Sequence, residues 1–255
     1  RDLGIKVLLV GDETAVQAEL EGDHAEGLPI EIVPSRGIIE ETDHPLQAMR
    51  EKPEASIVVA TRLVKAGRAQ AVVSMGSTGA SMAAASLILG LVDGVERPAV
   101  GGPFLGRFCS TVFLDLGSNV DCRPSQLLGF AALGAAFARR IQGVQNPRVA
   151  LLSVGVEEGK GNRQVREAYP IFQQSPLNFV GNVEGTDLFQ DKADVVICDG
   201  FVGNILLKFA EGLGREMSRS LPDLLGPILP QEAMRQAGSE LSALGNTVEL
   251  AGGGP

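Results

Sequence analysis

The chain has 255 residues, 44% of them hydrophobic and only 4% aromatic, with no Trp and a single Tyr, Tyr169. This supports a large aliphatic core of Leu, Val, Ile and Ala in parallel α/β layers, and argues against an all-β sandwich. A formal net charge of −9 with no basic cluster argues against a nucleic-acid partner.

From the N-terminus, Ile5–Val10 and Ile30–Val33 read as strands, and Pro45–Arg50 and Ser56–Ala66 as helices. In the second helix Ile57, Ala60, Leu63 and Val64 share one face, with Arg62 and Lys65 turned away. Ala71–Met75 reads as a buried strand, followed by a Gly76–Gly79 loop and a helix from Ala80 to about Leu91. Thr111–Leu116 is a strand, and Pro124–Ile141 a long helix opened by its proline. Strands at Arg148–Val154, Leu177–Val180 and Ala193–Cys198 alternate with helices at Asn162–Phe172 and Val202–Ser218. Such alternation predicts a parallel sheet with right-handed crossovers.

The segment Leu221–Pro230 is apolar but broken by prolines, so it reads either as a packed connector or as a hydrophobic tip touching a membrane or partner. The expected organisation is one α/β domain over 1–255, with 219–245 as a protruding dimer or membrane-contact segment. The first strand has no lead-in and the last residues read as the start of a loop, so further chain is expected at both ends.

Cys109, Cys122 and Cys198 lie far apart with no C-x-x-C spacing, the usage of a reducing cytoplasm rather than of a disulfide framework or zinc site. The longest apolar stretch, Ala83 to Val92, falls well short of the about 20 residues that cross a bilayer. The expected location is cytoplasmic, at most peripheral on the inner face of a membrane.

Chemistry gathers where apolar runs end in glycine-rich polar loops. Gly76, Ser77, Thr78 and Gly79 form one; Asn119 and Asp121 sit in a second; Lys160, Gly161 and Asn162 in a third; Asp199, Gly200, Gly203 and Asn204 in a fourth. At the carboxyl edge of a parallel sheet such loops turn helix N-termini and free N–H groups toward a common crevice, which suits an anion, phosphate first. Each loop also has a plainer reading. Gly76–Gly79 is either a ligand cradle or a capping turn; it is neither a Walker A loop nor a dinucleotide fingerprint. Lys160, between Gly159 and Gly161, is either an anion clamp aimed inward or an exposed loop lysine. Asn204 falls in a first helical turn, where its amide can donate to a carbonyl or phosphate oxygen. Asp199, Asn119 and Asp121 are helix caps or hydrogen-bond orienters, and Asp121, just ahead of Pro124, suits a cap.

Ser-x-Gly-x-Thr-Gly-Ala at 74–80, Leu-Asp-Leu-Gly-x-Asn-Val-Asp at 114–121, Glu-x-x-Lys-Gly-Asn at 157–162, Asn-Phe-Val-Gly-Asn-Val-Glu-Gly at 178–185 and Asp-Val-Val-x-Cys-Asp-Gly-Phe-Val-Gly-Asn at 194–204 together resemble the bacterial phosphate acyltransferase (PlsX) family. The resemblance covers nearly the whole chain. It implies a Rossmann-like α/β/α sandwich with a mostly parallel sheet, similar to the isocitrate dehydrogenase and phosphate acetyltransferase type. It implies transfer of a fatty acyl group from acyl-carrier-protein thioester to inorganic phosphate, feeding phospholipid synthesis, in a homodimer that can lie on the membrane surface. It places Lys160 and Asn204 in the active site as catalytic groups, with Gly76 to Gly79 and Asn119 lining the crevice. The family's opening strand and Asp-Ala-Met-Gly-Gly-Asp loop are absent, and Ser77 stands where Asn is common.

No metal or cofactor is called for, and no Ser-His or Cys-His pair is needed if phosphate attacks the thioester directly. The docking face for an acidic carrier protein is expected to be basic. Arg62, Lys65 and Arg68 are candidates, or a simple solvated helix face. The competing readings are an NAD-dependent dehydrogenase, which would need an arginine cluster and metal-binding aspartates, and a non-catalytic membrane-surface scaffold built on Leu221–Pro230.

Overall fold

The computed structural model describes residues 4–22, 25, 27–104, 110–225 and 232. Its contacts divide the chain into a first unit up to Val92 and a second from Asp93.

In the first unit β1 (Val7–Gly11) pairs in parallel with β2 (Ile30–Pro34). The connecting helix α1 (Glu13–Gly22) was not expected, because its sequence is polar and buries no residue. Its one local signal is Asp12, whose carboxylate accepts from the Ala15 N–H at 3.0 Å. Helices α2 (Pro45–Glu51), α3 (Ser56–Lys65) and α4 (Thr78–Ala84) enclose a small core of Ile39, Ala48, Met49, Ala55, Ile57, Val58, Ala80 and Ala84. On α3, Ile57 and Leu63 are buried while Arg62 and Lys65 face water. A π-helical turn, Ala85–Leu89, carries α4 to Gly90.

The expected buried strand at Ala71–Met75 is not formed. These residues are exposed, Val73 to 88%, and none of their N–H or C=O groups bonds the backbone of another described residue. A β-prone apolar run becomes a strand only when a neighbour pairs with it, and among the described residues none does.

The second unit holds a five-stranded sheet in the order β3-β4-β7-β5-β6. The strands β4 (Val112–Leu114), β5 (Arg148–Leu152), β6 (Asn178–Val183) and β7 (Val195–Ile197) are parallel to their neighbours. Only β3 (Gly101–Pro103), a Gly-Gly-Pro stretch that reads as loop, runs antiparallel.

Period-two alternation sorts the central strands between two cores. Val112, Leu114, Val149, Leu151, Val195 and Ile197 face the layer of α5 (Pro124–Ile141) and α6 (Arg163–Gln173), against Leu127, Phe130, Ala135 and Phe172. Phe113, Ala150 and Val196 face the opposite layer, where Leu207 of α7 (Gly200–Leu225) and Leu188 of a 3-10 turn pack. The amino ends of β5 and β7 are tied together by the Arg148 guanidinium on Asp194, at 3.1 and 3.0 Å. The result is a Rossmann-like α/β/α sandwich with a mostly parallel sheet.

Helix α7 runs past the expected stop at Ser218, so Leu221–Leu225 is helical. The rest of the proposed contact segment, apart from Glu232, lies outside the described residues, as does Cys109. Phe201, Ile205, Phe209, Leu213 and Met217 recur every fourth residue on α7 and are all exposed. No helix among the described residues is long and apolar enough to cross a membrane.

Candidate active site

β4, β7 and β5 are consecutive parallel strands, so the loops leaving their carboxyl ends open on one edge of the sheet. Residues 115–121 follow β4, 199–204 follow β7, and 153–162 follow β5. Strands lie about 4.8 Å apart, which puts the outer two of these loops on the order of 10 Å from each other.

The first two loops are locked together. A side chain at Gly203 would overlap the Asp115 carbonyl oxygen, and one at Gly200 would come within 2.8 Å of the Asn119 nitrogen. Both glycines therefore serve close approach of the α7 N-terminus to the 115–121 loop. Asp199 lies just past the end of β7 and caps α7, its Oδ1 accepting from the Val202 N–H at 2.8 Å. Burial raises the Asp199 carboxyl above its ordinary value; bonds from the Val202 and Phe201 N–H groups oppose this, and the charges of Asp121 and Asp115 add to it.

Because α7 begins at Gly200, Asn204 falls just past its first turn rather than in it; it is exposed, with its side chain alongside Gly117. Asn119, by contrast, is buried, and its amide nitrogen donates to Pro98 O at 2.8 Å, Asp115 Oδ2 at 2.7 Å and Ser118 Oγ at 2.9 Å. Its donors are thus committed inside the protein. Asp121 is exposed and does not cap α5. The N-cap position belongs to Arg123, whose N–H is taken by the Gln126 side chain at 2.8 Å. The proline at the first helical position places the boundary two residues after Asp121.

The third loop frames Lys160. Its N–H donates to Glu157 O at 3.0 Å, and the same carbonyl accepts from Asn182 Nδ2 of β6 at 2.9 Å. The lysine stem lies against Gly155, where a Cβ would come within 2.8 Å of the Lys160 Cγ. The ammonium is exposed, and no carboxylate of the described residues pairs with it. Gly161 takes a φ of +110°, and its Cα faces Val165 and Ser153, so a β-carbon there is excluded twice. Asn162 caps α6, its Oδ1 accepting from the Val165 N–H at 2.9 Å.

Gly76, Ser77, Thr78 and Gly79 belong to the first unit, where Ser77 Oγ caps α4 by accepting from the Ala80 N–H at 3.2 Å and Gly79 packs on Pro45. The three basic candidates for a docking face are each engaged there: Arg62 on Pro53 O, Lys65 on Leu89 O and Arg68 on Glu31.

Two groups escaped the sequence reading. Asp115 is wholly buried beneath the 117–119 backbone, and Asn182 anchors the lysine loop while its Oδ1, like Ser153 Oγ, is buried without a partner among the described residues. Both stood inside motifs already singled out, yet nothing local marks an Asp at a strand end as buried. Neither described cysteine is primed as a nucleophile. Burial, with the Asp115 and Asp199 charges, pushes the Cys122 thiol up to about 11, and burial pushes Cys198 higher still.

A mostly parallel sheet with glycine-rich loops at the carboxyl edge of its strands defines a Rossmann-like α/β/α class of fold. The EutD phosphotransacetylase from Staphylococcus aureus shares it, with a TM-score of 0.59 at 22% identity over 82% of this chain and 74% of that one. Residues 1–227 match the fatty acid synthesis protein family. A phosphate acyltransferase of Desulforamulus reducens is 48% identical over 226 residues, 89% of this chain and 68% of that protein. One of Nitratidesulfovibrio vulgaris is 45% identical over 259 residues, 100% of this chain and 75% of the relative. The chain belongs to this fatty acid synthesis family of phosphate acyltransferases.

Proposed function

We propose that the chain transfers a fatty acyl group from the thioester of acyl-carrier protein to inorganic phosphate, giving acyl phosphate for phospholipid synthesis. The observation that carries this reading is the opening of three loops of adjacent parallel strands, with Lys160, Asn204 and two helix N-termini, on one sheet edge. A phosphate oxygen attacks the thioester carbon; the C–S bond breaks, and the thiolate leaves and takes a proton. Phosphate is a weak nucleophile and the thioester an activated donor, so the protein has to supply placement and charge compensation.

Lys160 is the cation that offsets phosphate charge. The need is sharpened by Asp115, Asp121 and Asp199, carboxylates that would otherwise repel an anion. Asn204 donates to the developing oxyanion or to a phosphate oxygen. Gly161, Asn162, Gly200, Gly203 and the N-termini of α6 and α7 shape the phosphate cradle. Asn119 and Asp199 orient these loops from below, and Asp121 lies at the rim. The partners on this reading are acyl-carrier protein and phosphate, with the chain acting as a homodimer; the apolar ridge on α7 is the described surface that favours self-association.

The test is incubation of the full-length protein with long-chain acyl-carrier protein and labelled orthophosphate. A labelled, hydroxylamine-sensitive product is expected, and its absence at any enzyme concentration rules the reaction out.

A further inference from the structure

We infer that Asp115 is a positioning residue of the acyl-transfer site, acting through Asn119 and the Gly117–Ser118 backbone; this rests on the reading of the site given above. Asp115 has no exposed surface. Its Oδ1 accepts from Val100 N at 3.1 Å, Gly117 N at 3.2 Å, Ser118 N at 3.1 Å and Ser118 Oγ at 2.9 Å. Its Oδ2 accepts from Ser118 Oγ at 2.7 Å, Asn119 N at 2.7 Å and Asn119 Nδ2 at 2.7 Å. Every contact is a donor, and no Lys or Arg of the described residues reaches it. A buried carboxylate held this way dictates where each donor sits, because any donor that leaves strands an acceptor in a dry interior.

The residues so placed are those that face the α7 turn. Gly117 lies against the Asn204 side chain, and the Asp115 main chain abuts Gly203 and exchanges a bond with β7, Asp115 N donating to Cys198 O at 2.9 Å. One residue therefore sets the 117–119 loop with its side chain and the start of α7 with its backbone. The loop is held without a cation of the described residues, so Lys160, across the intervening 199–204 turn, is not spent on it. Asn119, its N–H groups spent on Asp115, Pro98 and Ser118, keeps Oδ1 as its remaining polar atom.

The experiment replaces Asp115 in the full-length protein with Asn, which turns one acceptor into a donor facing other donors. Phosphate affinity is measured by calorimetry and, separately, KM for phosphate and for acyl-carrier protein. The Asp115→Asn variant is expected to weaken phosphate binding by about 10-fold or more, the scale of one displaced charge-assisted hydrogen bond, with little change in KM for the acyl donor. In an Asn119→Ala background the same substitution is expected to cost less than in the wild type, because part of its effect passes through the Asn119 side chain. Equal losses for both substrates, or effects that multiply in the double variant, overturn the inference.

If Asp115→Asn does not melt cooperatively, Ser118→Ala takes its place, since it removes a donor to both carboxylate oxygens. A selective weakening of phosphate binding supports the inference there, and an unselective one overturns it. Wild-type protein that binds no phosphate and forms no acyl phosphate sinks the parent reading, and this one with it. Active wild type with an unselective Asp115→Asn sinks the positioning role alone.

Discussion

Gly203 sits where no side chain fits, because the Asp115 carbonyl oxygen occupies the place of a Cβ. Gly203→Ala must push the α7 turn off the 115–121 loop. The expected cost is about 1–3 kcal/mol of stability, read by urea denaturation, together with a fall in turnover as Asn204 moves. Unchanged stability would show that the two loops separate freely. Lys160 presents the opposite case, an exposed group whose removal leaves packing alone. Lys160→Ala is expected to lower turnover by about 100-fold or more, near the 3 kcal/mol of one oxyanion donor, with an unchanged melting curve. Near-normal turnover removes Lys160 from the proposed role. Lys160 and Asn204 could be put forward from the sequence because flanking glycines mark places where backbone must approach something. Asp115 could not, since its donors include Val100, 15 residues back, and burial of a carboxylate leaves no trace in spacing.

Helix α6 begins within a residue of its expected start, and α7 begins at Gly200, two residues ahead of the expected Val202. Asn162 and Asp199 each accept from the N–H three residues on. Asp199 meets two demands at once, capping α7 while lying buried near other carboxylates. Its folded carboxyl titrates above the ordinary value of 3.8, so the stability it contributes is full below that value and is lost as pH rises through the folded pKa. Asp199→Asn keeps the cap and removes the buried charge. The variant is expected to be more stable than wild type at neutral pH, the gap closing as pH falls toward 3.8, measured by urea melts across that range. A gap that widens in acid contradicts the assignment. The helix Pro124–Ile141 was legible to the residue, because proline opens it and an apolar stripe runs its length. α1 was missed because it buries nothing, and β3 because Gly-Gly-Pro becomes a strand only when Phe113 lies beside it.

The two units carry unequal cores. Residues 112–114, 149–151 and 195–197 are buried on both faces of the larger sheet, whereas 71–76 make no backbone pairing among the described residues. Amide hydrogen exchange on the intact protein is expected to be slowest in β4, β5 and β7 and fast throughout 71–76. Slow exchange at Val72 and Val73 would mean that a strand pairs there.

Alternating apolar strands, helix-period stripes and glycine-rich interruptions were enough to establish an α/β chain and to single out its glycine-rich loops, because such patterns act between residues a few positions apart. The insertion of β7 between β4 and β5 was beyond their reach, and with it the choice of which loops become neighbours. So was the commitment of the Asn119 amide to a buried aspartate. The first depends on pairings such as Val112 with Val195, about half the second unit's length apart, and no local pattern encodes which strand will arrive alongside. The second joins residues only four apart, but burial of Asp115 under the sheet edge is what commits it.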